Sequence, residues 1–401
     1  MILYPLISNL VFSAWQLVAG KNSWISKVGS DSSWKSSGSL EGKVIWMHAA
    51  SLGEFEMGRP VLELFLDKHP DWNAVVTFFS PSGYEPRKSY ARAKVHYLPL
   101  DTPSQASKWL DYANPSLAVF VRYDLWPNHL NALRKRGVPT VVIAMSASKT
   151  PWYLHRLLPF IRKVYKEGVH SWGVIAEQDA AIMSLAGIHS EVLGNPKYDY
   201  AASLVGKTPS QKYIDWKKAQ NKPILLVGSA HLEDCRALND LDLKKFSIWI
   251  VPHEIDQSDV LKGAMTQFKT FDSANSMTDD PKETSLLMVP EFGVLTGLYS
   301  LADGVIIGGG YAKATHNVLE ATAQGKIAAS GPNWQKIAEN HELVKRGYLF
   351  PIQSTDQYSQ YLERIGTTKF IAQGNKAQKW LLGQKGASQK ILKVLEQAVQ
   401  L

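Results

Sequence analysis

The sequence predicts an α/β protein made of two Rossmann-like domains, each built on a parallel sheet. At 401 residues the chain exceeds the size at which a single hydrophobic core keeps growing. From Lys43 onward, short apolar strands alternate with amphipathic helices, a pattern typical of parallel sheets covered on both faces. A second series of the same kind begins at Ile224. We therefore expect an N-terminal helix within residues 1–30, domains at 31–205 and 206–380, and a C-terminal helix at 381–401 that closes the fold.

Each predicted strand is a short run of mostly apolar residues followed by a loop. In the first domain these runs are Val44–His48, Ala74–Phe79, Val95–Leu98, Leu117–Val121, Thr140–Ala144 and Gly173–Ala176. In the second they are Ile224–Gly228, Phe246–Val251, Ser285–Val289, Val305–Ile307 and Ile327–Ser330. The polar segment Val205–Gln220 reads as an interdomain connection. Because open parallel sheets bind ligands beyond the carboxyl ends of their strands, we expect the two domains to face each other across a cleft.

Composition restricts the class of partner. A net charge of +8 and a pI near 9.2 indicate an anionic partner, which could be a nucleotide, a nucleic acid or an acidic membrane surface. The Lys and Arg residues are scattered, which argues against a nucleic-acid partner. The single cysteine, Cys235, excludes an internal disulfide and a multi-cysteine zinc site, and this favours the cytoplasm.

The first 20 residues carry no charge, and their apolar residues recur at helical spacing with a polar stripe opposite. This pattern predicts a helix that lies in or against a membrane. A helix packed on the protein itself is the alternative. A signal peptide is disfavoured because no positive segment precedes the apolar stretch and no A-x-A site follows it.

A strand, glycine loop, helix and strand unit occupies residues 303–332. The run Val305–Ile307 leads into Gly308-Gly309-Gly310, and His316–Gln324 reads as a helix. Glycines let the backbone approach a ligand closely, and a helix N-terminus favours a phosphate. Asn317 and Glu320 are three residues apart and share one face, where Glu320 could bind ribose hydroxyls. The alternative is a tight turn without a ligand.

Polar residues also follow the first strand and the fourth. Glu54 comes soon after Val44–His48 and could act as a general base on an acceptor hydroxyl. Ser51 and Glu54 also have the S-x-x-E spacing of a helix capping box, and the two roles are compatible. Asp124 is expected at the same cleft with Arg122. Asn128 could contact a ligand there or simply pack and cap the next helix.

Loops of the second domain carry Ser229 and His231 after one strand and His253 after the next. These side chains could hold a phosphate or a base. No H-E-x-x-H motif or metal-spaced cluster is present in the sequence, so we predict no metal. No G-x-S-x-G elbow and no P-loop lysine are present either, which disfavours a serine hydrolase or an NTPase.

Taken together, these motifs resemble the bacterial Kdo (3-deoxy-D-manno-oct-2-ulosonic acid) transferases of lipopolysaccharide synthesis. The similarity extends from the N-terminal apolar segment to about Phe350 in unbroken order. Its motifs are HAASLGE at 48–54, P-L-D at 99–101, LWPN at 125–128, GNPKYD at 194–199, and the glycine loop followed by HNVLEA and GP at 331–332.

The resemblance implies a GT-B fold and transfer of Kdo from the donor CMP-Kdo to a lipid A precursor, with inversion and without a separate cofactor. It implies that Glu54 is the catalytic base and that the N-terminal helix lies on the cytoplasmic face of the inner membrane, where anionic phospholipid is a further partner. The implied acceptor residues are Ser51, Gly53, Arg59, Asp124 and Asn128. The implied donor residues are Ser229, His253, Gly293, Gly309, Gly310, His316, Asn317 and Glu320.

The chain departs from the family pattern at three places. The family usually has acidic residues where this chain has Arg122 and Asp124, a glycine at the position of Thr315, and P-R-H where this chain reads V-P-H at 251–253. Lys313 or Lys197 is a candidate replacement for the missing arginine. Two rival functions follow from the residues: another GT-B nucleotide-sugar enzyme, such as a UDP-sugar transferase or epimerase, and a non-enzymatic two-domain binding protein.

Overall fold

The computed structural model describes residue 34 and residues 38–147, 151–154, 159–239, 241–268, 271–273, 281–282 and 284–400. The chain divides into two compact units. The first comprises Met1–Tyr200 together with Lys385–Leu401, and the second comprises Ala201–Gln384.

The first unit contains a seven-stranded parallel sheet in the order β3-β2-β1-β4-β5-β6-β7. Its strands are β1 (Lys43–Ala49), β2 (Trp72–Phe78), β3 (Lys94–Tyr97), β4 (Leu117–Val121), β5 (Thr140–Met145), β6 (Ser171–Val174) and β7 (Glu191–Val192). Strand β1 is central and buried on both faces, which explains its nearly continuous apolar sequence. Val44 and Trp46 enter one core, whereas Ile45 and Met47 enter the core on the opposite face.

Helices cover both faces of this sheet. They are α1 (Leu52–Lys68), α2 (Pro81–Arg87), α3 (Pro103–Ala113), α4 (Pro127–Lys135), α5 (Pro159–Gly168) and α6 (Glu177–Leu185), followed by α7 (Lys197–Ser203) at the boundary between the units. Proline begins α2, α3 and α4, where its missing N–H costs no hydrogen bond. Helix α1 buries Phe55, Val61, Leu62 and Phe65 in the same core as Ile45.

The second unit repeats this architecture with the strand order β10-β11-β9-β8-β12-β13-β14, again all parallel. Its strands are β8 (Ile224–Ala230), β9 (Ser247–Pro252), β10 (Phe271–Ser273), β11 (Leu286–Met288), β12 (Gly304–Ile307), β13 (Ala328–Ser330) and β14 (Leu349–Pro351). Its helices are α8 (Gln211–Ala219), α9 (Leu232–Asn239), α10 (Ser258–Ala264), α11 (Leu295–Leu301), α12 (Leu319–Ala323), α13 (Ala338–Lys345), α14 (Thr355–Arg364) and α15 (Thr368–Leu382).

The last helix, α16 (Ala387–Ala398), returns to the first unit. Its residues Ile391, Leu392, Val394 and Leu395 are buried in the core that also contains residues of β1 and α1. The main-chain N–H groups of Gly386 and Ser388 at its start donate to the carboxylate of Asp199. The closing helix expected from the sequence therefore completes the core of the first unit.

In both sheets the connections reverse direction at one place. In the first unit this switch point lies between β1 and β4, and in the second between β8 and β12. The crevice beyond the carboxyl ends of such strands is the usual ligand site of open α/β sheets. Four residues predicted to be functional lie at the carboxyl ends of these strands: Glu54 in the first turn of α1, Asp124 after β4, Ser229 near the end of β8 and Gly309 after β12.

The structure confirms the predicted α/β class with two Rossmann-like domains of the GT-B type. Strands β7, β10 and β14 were not predicted. The segment Val205–Gln220, interpreted as a connection, contains α8, which buries Tyr213 and Trp216 in the second unit. The predicted membrane helix at residues 1–20 lies outside the described residues. Within the part of the chain that is described, no helix has the length and apolar composition needed to cross a bilayer.

Candidate functional site

Glu54 lies at the switch point of the first sheet, in the first turn of α1. Its Oε2 atom accepts a hydrogen bond of 2.7 Å from the backbone N–H of Ala50. Ser51 is the N-cap residue, but its side chain makes no capping bond. Burial raises the pKa of Glu54, and the charge of Asp124 raises this pKa further. Because Glu54 binds the N–H that precedes the N-cap residue and Ser51 makes no capping bond, the capping box predicted from the S-x-x-E spacing is not formed. The raised pKa brings the carboxyl group of Glu54 closer to the range that suits a general base at neutral pH.

A chain of buried polar side chains leads to Asp124. The Nε2 atom of His48 lies 2.9 Å from Oδ2 of Asp124, and the Nδ1 atom of His48 lies 2.9 Å from Oγ1 of Thr77. Thr77 Oγ1 also accepts a hydrogen bond of 2.8 Å from Nε1 of Trp46. An ionised carboxylate can only accept, so Nε2 of His48 carries the proton. The Thr77 hydroxyl has a proton left for Nδ1, so both ring nitrogens of His48 have a hydrogen-bond partner.

Arg122 completes the group of charges around Glu54. Its positive charge acts to lower the pKa of Glu54, against the effects of burial and of Asp124. Its φ angle of 67° lies in the left-handed region, which is unusual for a residue other than glycine. The guanidinium lies 5.4 Å from the ring centre of Tyr123, whose side chain is exposed. The structure thus brings Arg122, Asp124 and Glu54 together, as their positions after adjacent strands predicted.

Other predicted acceptor residues are placed differently. Asn128 is buried and donates from Nδ2 to the backbone oxygen of Asp101 at 2.5 Å, so the packing and capping interpretation describes its contacts. Arg59 pairs with Glu56 at 2.9 Å and lies 5.0 Å from the ring centre of Tyr200. Gly53 is exposed, and a Cβ atom there would meet nothing within 4 Å.

In the second unit the glycine loop is bound to an aspartate that the sequence did not single out. The carboxylate of Asp234 accepts from the main-chain N–H groups of Gly309 at 2.7 Å, His231 at 3.0 Å and Tyr311 at 3.3 Å. Asp234 is 1% exposed, and burial raises its pKa although these three hydrogen bonds act to lower it. The N–H of Gly309, one of the groups that the sequence offered to a phosphate, is therefore already hydrogen bonded to Asp234.

The three glycines are required by the protein's own backbone. A Cβ atom at Gly308 would lie 2.2 Å from the carbonyl oxygen of Ser229, and one at Gly309 would lie 2.3 Å from that of Ala314. A Cβ atom at Gly310 would lie 2.5 Å from the nitrogen of Gly331. The loop is therefore tightly folded on itself, which is a sufficient reason for the three glycines, and their predicted role in binding the donor stays a prediction.

Asn317 and Glu320 do lie side by side. The Nδ2 atom of Asn317 donates to Oε1 of Glu320 at 3.1 Å, and Thr296 Oγ1 donates to Oε2 at 2.8 Å. The helix is shorter than the predicted His316–Gln324 and begins at Leu319, whose N–H is accepted by Oδ1 of Asn317. The carboxylate of Glu320 is thereby fixed in orientation and, with four acceptor positions on its two oxygens, can accept further hydrogen bonds.

Three histidines follow three adjacent strands of the second sheet. His231 comes after β8, His253 after β9 and His316 after the β12 loop. The Nε2 atoms of His231 and His316 are 2.8 Å apart, while their parallel rings have centres 5.1 Å apart, so the rings meet edge to edge. His253 lies with its ring centre 4.2 Å from that of His316. Burial and the neighbouring histidines lower the pKa of His316 to about 3, and the same causes lower the pKa of His253.

This cluster is a grouping that sequence spacing did not reveal, and its donor atoms lie within 4.8 Å of one another, close enough to hold a metal ion. In the arrangement observed, however, Nε2 of His231 and Nε2 of His316 form a hydrogen bond with each other. A metal bound by both atoms requires these rings to turn first. The prediction that the protein uses no metal or other cofactor stays a prediction.

Of the remaining predicted residues, Ser229 lies near the end of β8 and Gly293 lies in the loop after β11. Ser229 has a φ angle of 53°, and Gly293 has one of 78°. Thr315, which departs from the family pattern, joins the loop to β13 through a 2.5 Å contact between its Oγ1 and Oγ of Ser330. Of the two candidate replacements for the missing arginine, Lys313 belongs to the glycine loop and Lys197 begins α7 in the first unit.

Both units thus present polar residues at the switch point of a doubly wound parallel sheet, which defines a two-domain, Rossmann-like protein of the GT-B type. Comparison with known proteins identifies the family. Residues 22–200 match the family model described as 3-deoxy-D-manno-octulosonic-acid transferase (kdotransferase). This match confirms the resemblance predicted from the motifs over residues 22–200.

Similar sequences are found over most of the chain. The chain is 25% identical over 379 residues to a 3-deoxy-D-manno-octulosonic acid transferase of Haemophilus influenzae, covering 88% of this chain and 86% of the relative. It is 24% identical over 340 residues to a bifunctional glycosyltransferase/methyltransferase of Fusobacterium nucleatum, with 81% of this chain matching 53% of the relative. The chain thus spans about half the length of that bifunctional protein.

Among solved structures, a UDP-GlcNAc 2-epimerase from Neisseria meningitidis has a similar fold. The two share a TM-score of 0.57 at 14% identity, covering 89% of this chain and 99% of the other. Similarity at this level of identity supports the two-domain architecture and carries no information about substrate.

Proposed function

We propose that this protein is a glycosyltransferase that moves Kdo from CMP-Kdo to a lipid A precursor, with Glu54 as the general base. The observation that supports this role most directly is the environment of Glu54. A partly buried carboxylate of raised pKa lies at the switch point of the sheet, within the region that matches the Kdo transferase family.

The proposed reaction inverts the configuration of the sugar. A carboxylate oxygen of Glu54 takes the proton of the acceptor hydroxyl while that hydroxyl oxygen forms a bond to the anomeric carbon of Kdo. The bond from this carbon to the phosphate oxygen breaks, and its electron pair leaves with CMP. The departing charge requires preorganised hydrogen-bond donors, which typically make the largest electrostatic contribution in such reactions.

In this proposal the donor is bound by residues of the second unit. Asn317 and Glu320 bind the cytidine part, and His253 and His316 contact the phosphate, since the N–H of Gly309 is engaged by Asp234. The other proposed donor residues are Ser229 near the end of β8, Gly293 in the loop after β11 and Gly310 in the glycine loop. Under the same proposal the protein works on the cytoplasmic face of the inner membrane through residues 1–20, and its charge of +8 favours anionic phospholipid and acceptor phosphates.

Replacing Glu54 tests the base. Glu54→Gln keeps an acceptor for the N–H of Ala50, so the fold should be preserved, whereas transfer of Kdo to the precursor should fall by ~100-fold or more. Glu63→Gln is the matched control, because Glu63 lies on the same helix and its carboxylate accepts from Tyr90 at 2.8 Å. Near-normal turnover in Glu54→Gln would leave Glu54 with only its hydrogen bond to Ala50.

The donor assignment has a separate test. A thermal-shift comparison of CMP, UDP and ADP should show the largest stabilisation with CMP, because stabilisation follows affinity for the folded state. Larger stabilisation by UDP would favour a UDP-sugar enzyme instead. Stabilisation by none of the three, together with no transfer, would favour a binding protein.

A further inference from the structure

The buried histidine next to the proposed base has no assigned role, and its contacts point to one. His48 is 0% exposed, belongs to β1 and is hydrogen bonded through both ring nitrogens. A buried histidine of this kind can simply satisfy its own polar atoms. Here, however, one nitrogen contacts the carboxylate of Asp124, which is the acidic group that acts on Glu54.

We propose that His48, whose ring is held by Thr77 and Trp46, is a positioning residue that fixes the Asp124 carboxylate beside Glu54. This inference rests on the proposed function of Glu54. The order of the hydrogen bonds follows from the chemistry of the groups. Trp46 can only donate, so Thr77 Oγ1 accepts from it and directs its own proton to Nδ1 of His48.

The strand order explains why these residues meet. Strand β1 lies between β2 and β4, so His48 pairs with Thr77 on one side and with Phe120 on the other. Both ring nitrogens of His48 are therefore directed across the carboxyl edge of the sheet, toward β2 and toward the loop after β4. Because the imidazole ring is fully buried and bonded at both nitrogens, its orientation is fixed before any substrate binds.

The charges that face Glu54 act in opposite directions. Asp124 raises the pKa of Glu54, whereas His48, Arg122 and the N–H of Ala50 act to lower it. If the bond from His48 is lost, the Asp124 carboxylate can turn away from Glu54, and its charge then raises the pKa of Glu54 less. His48 therefore holds the charge of Asp124 near Glu54.

The test is a set of pH profiles of kcat/KM for Kdo transfer. Asp124→Asn should move the acidic limb of the profile to lower pH by about one unit, at the low end of shifts caused by a neighbouring charge. His48→Asn, whose amide occupies the position of Nδ1 and does not reach Asp124, should move the limb in the same direction by less. His48→Gln, whose amide nitrogen replaces Nε2, should restore the original limb.

A double variant separates positioning from packing. In the double variant that combines His48→Asn and Asp124→Asn, the acidic limb of the pH profile should match that of Asp124→Asn alone, because His48 acts through Asp124. His96→Gln is the matched control, because His96 is a buried histidine of the same sheet and is hydrogen bonded to Tyr112 at 2.9 Å. This substitution should leave the acidic limb in place. Loss of activity in His48→Asn without a shift of the limb would show a structural role and overturn the proposal.

A second readout needs no turnover: carbon-13 NMR can follow the titration of the Glu54 carboxyl group. The signal that is missing in Glu54→Gln identifies this group. The midpoint for Glu54 should fall in both Asp124→Asn and His48→Asn. An unchanged midpoint in His48→Asn would overturn this inference even if the enzyme transfers Kdo. A wild-type protein with the expected titrations but no transfer at any pH would instead refute the proposed function.

Discussion

Removing the carboxylate of Asp234 should destabilise the glycine loop of the second unit. In Asp234→Ala, three main-chain N–H groups lose their acceptor, those of Gly309, His231 and Tyr311. A buried donor left unsatisfied costs about 1–3 kcal/mol. Gly309 is fully buried, whereas His231 and Tyr311 are partly exposed, so water can replace part of their lost hydrogen bonding. The variant also no longer has to bury a carboxylate, and this offsets part of the lost stability. We therefore expect the free energy of unfolding to fall by about 3 kcal/mol.

Differential scanning calorimetry measures this effect. For a domain of this size the loss corresponds to a decrease of about 6–12 °C in the Tm of the second unit. The matched control is Glu233→Ala, which removes a neighbouring acidic residue that is exposed on the same helix turn. If the Tm of Asp234→Ala lies within about 2 °C of that control, well below the expected shift, the hydrogen bonds to Asp234 do not hold the loop.

Two further outcomes concern the same loop. Because the folded pKa of His316 is lowered from 6.5 to about 3, the unfolded chain binds its proton more readily, and stability should be lost as the pH falls from about 6.5. His316→Gln should reduce this decline in Tm between pH 7.5 and 5. His341→Gln, which replaces an exposed histidine, should leave the decline unchanged. Equal declines in the wild type and in His316→Gln would contradict the lowered pKa. Gly309→Ala combines a φ angle of 82° with a 2.3 Å clash against Ala314, so it should cost ~3 kcal/mol or more by urea unfolding. The control is Gly206→Ala, where φ is 76° and an added Cβ atom meets nothing within 4 Å, so the free energy of unfolding should fall by only about 1 kcal/mol. Equal losses of stability in the two variants would show that the glycine loop can open without cost.

The α/β class and most strands could be predicted because parallel strands are continuous apolar runs. Strand β4 matches its predicted bounds, and β1, β5 and β12 differ by one or two residues. The strands that escaped prediction are short and lie at or near the sheet edges. Strand β7 has two residues, and β10 and β14 have three each, so their local sequence carries little periodic signal.

The candidate site was only partly predictable. Glu54 and Asp124 could be identified because each follows a strand. The contact between His48 and Asp124, 76 residues apart, depends on β1 and β4 being neighbours, and strand order is not encoded in the local pattern. His48 itself belongs to the motif that carries the family resemblance, which was the available signal for its importance.

The glycine loop shows the opposite case, in which a local motif suggested a role that the tertiary structure assigns elsewhere. Three consecutive glycines fit a phosphate loop and also a tight turn, and the sequence could not separate the two. The deciding residue, Asp234, is 75 residues from Gly309 and occupies the third position of a helix, where an acidic residue is ordinary. Long-range hydrogen bonds of this kind have no signature in a single sequence.

The return of α16 to the first unit has a consequence for the order in which the protein is made. Multidomain chains generally fold domain by domain during synthesis. Here Ile391 and Leu395, which fill part of the first core, leave the ribosome only after the whole second unit. The nascent first unit therefore exposes an apolar groove for the time needed to synthesise the second. We expect chaperone binding to that groove, and final maturation of the first unit after the second has folded.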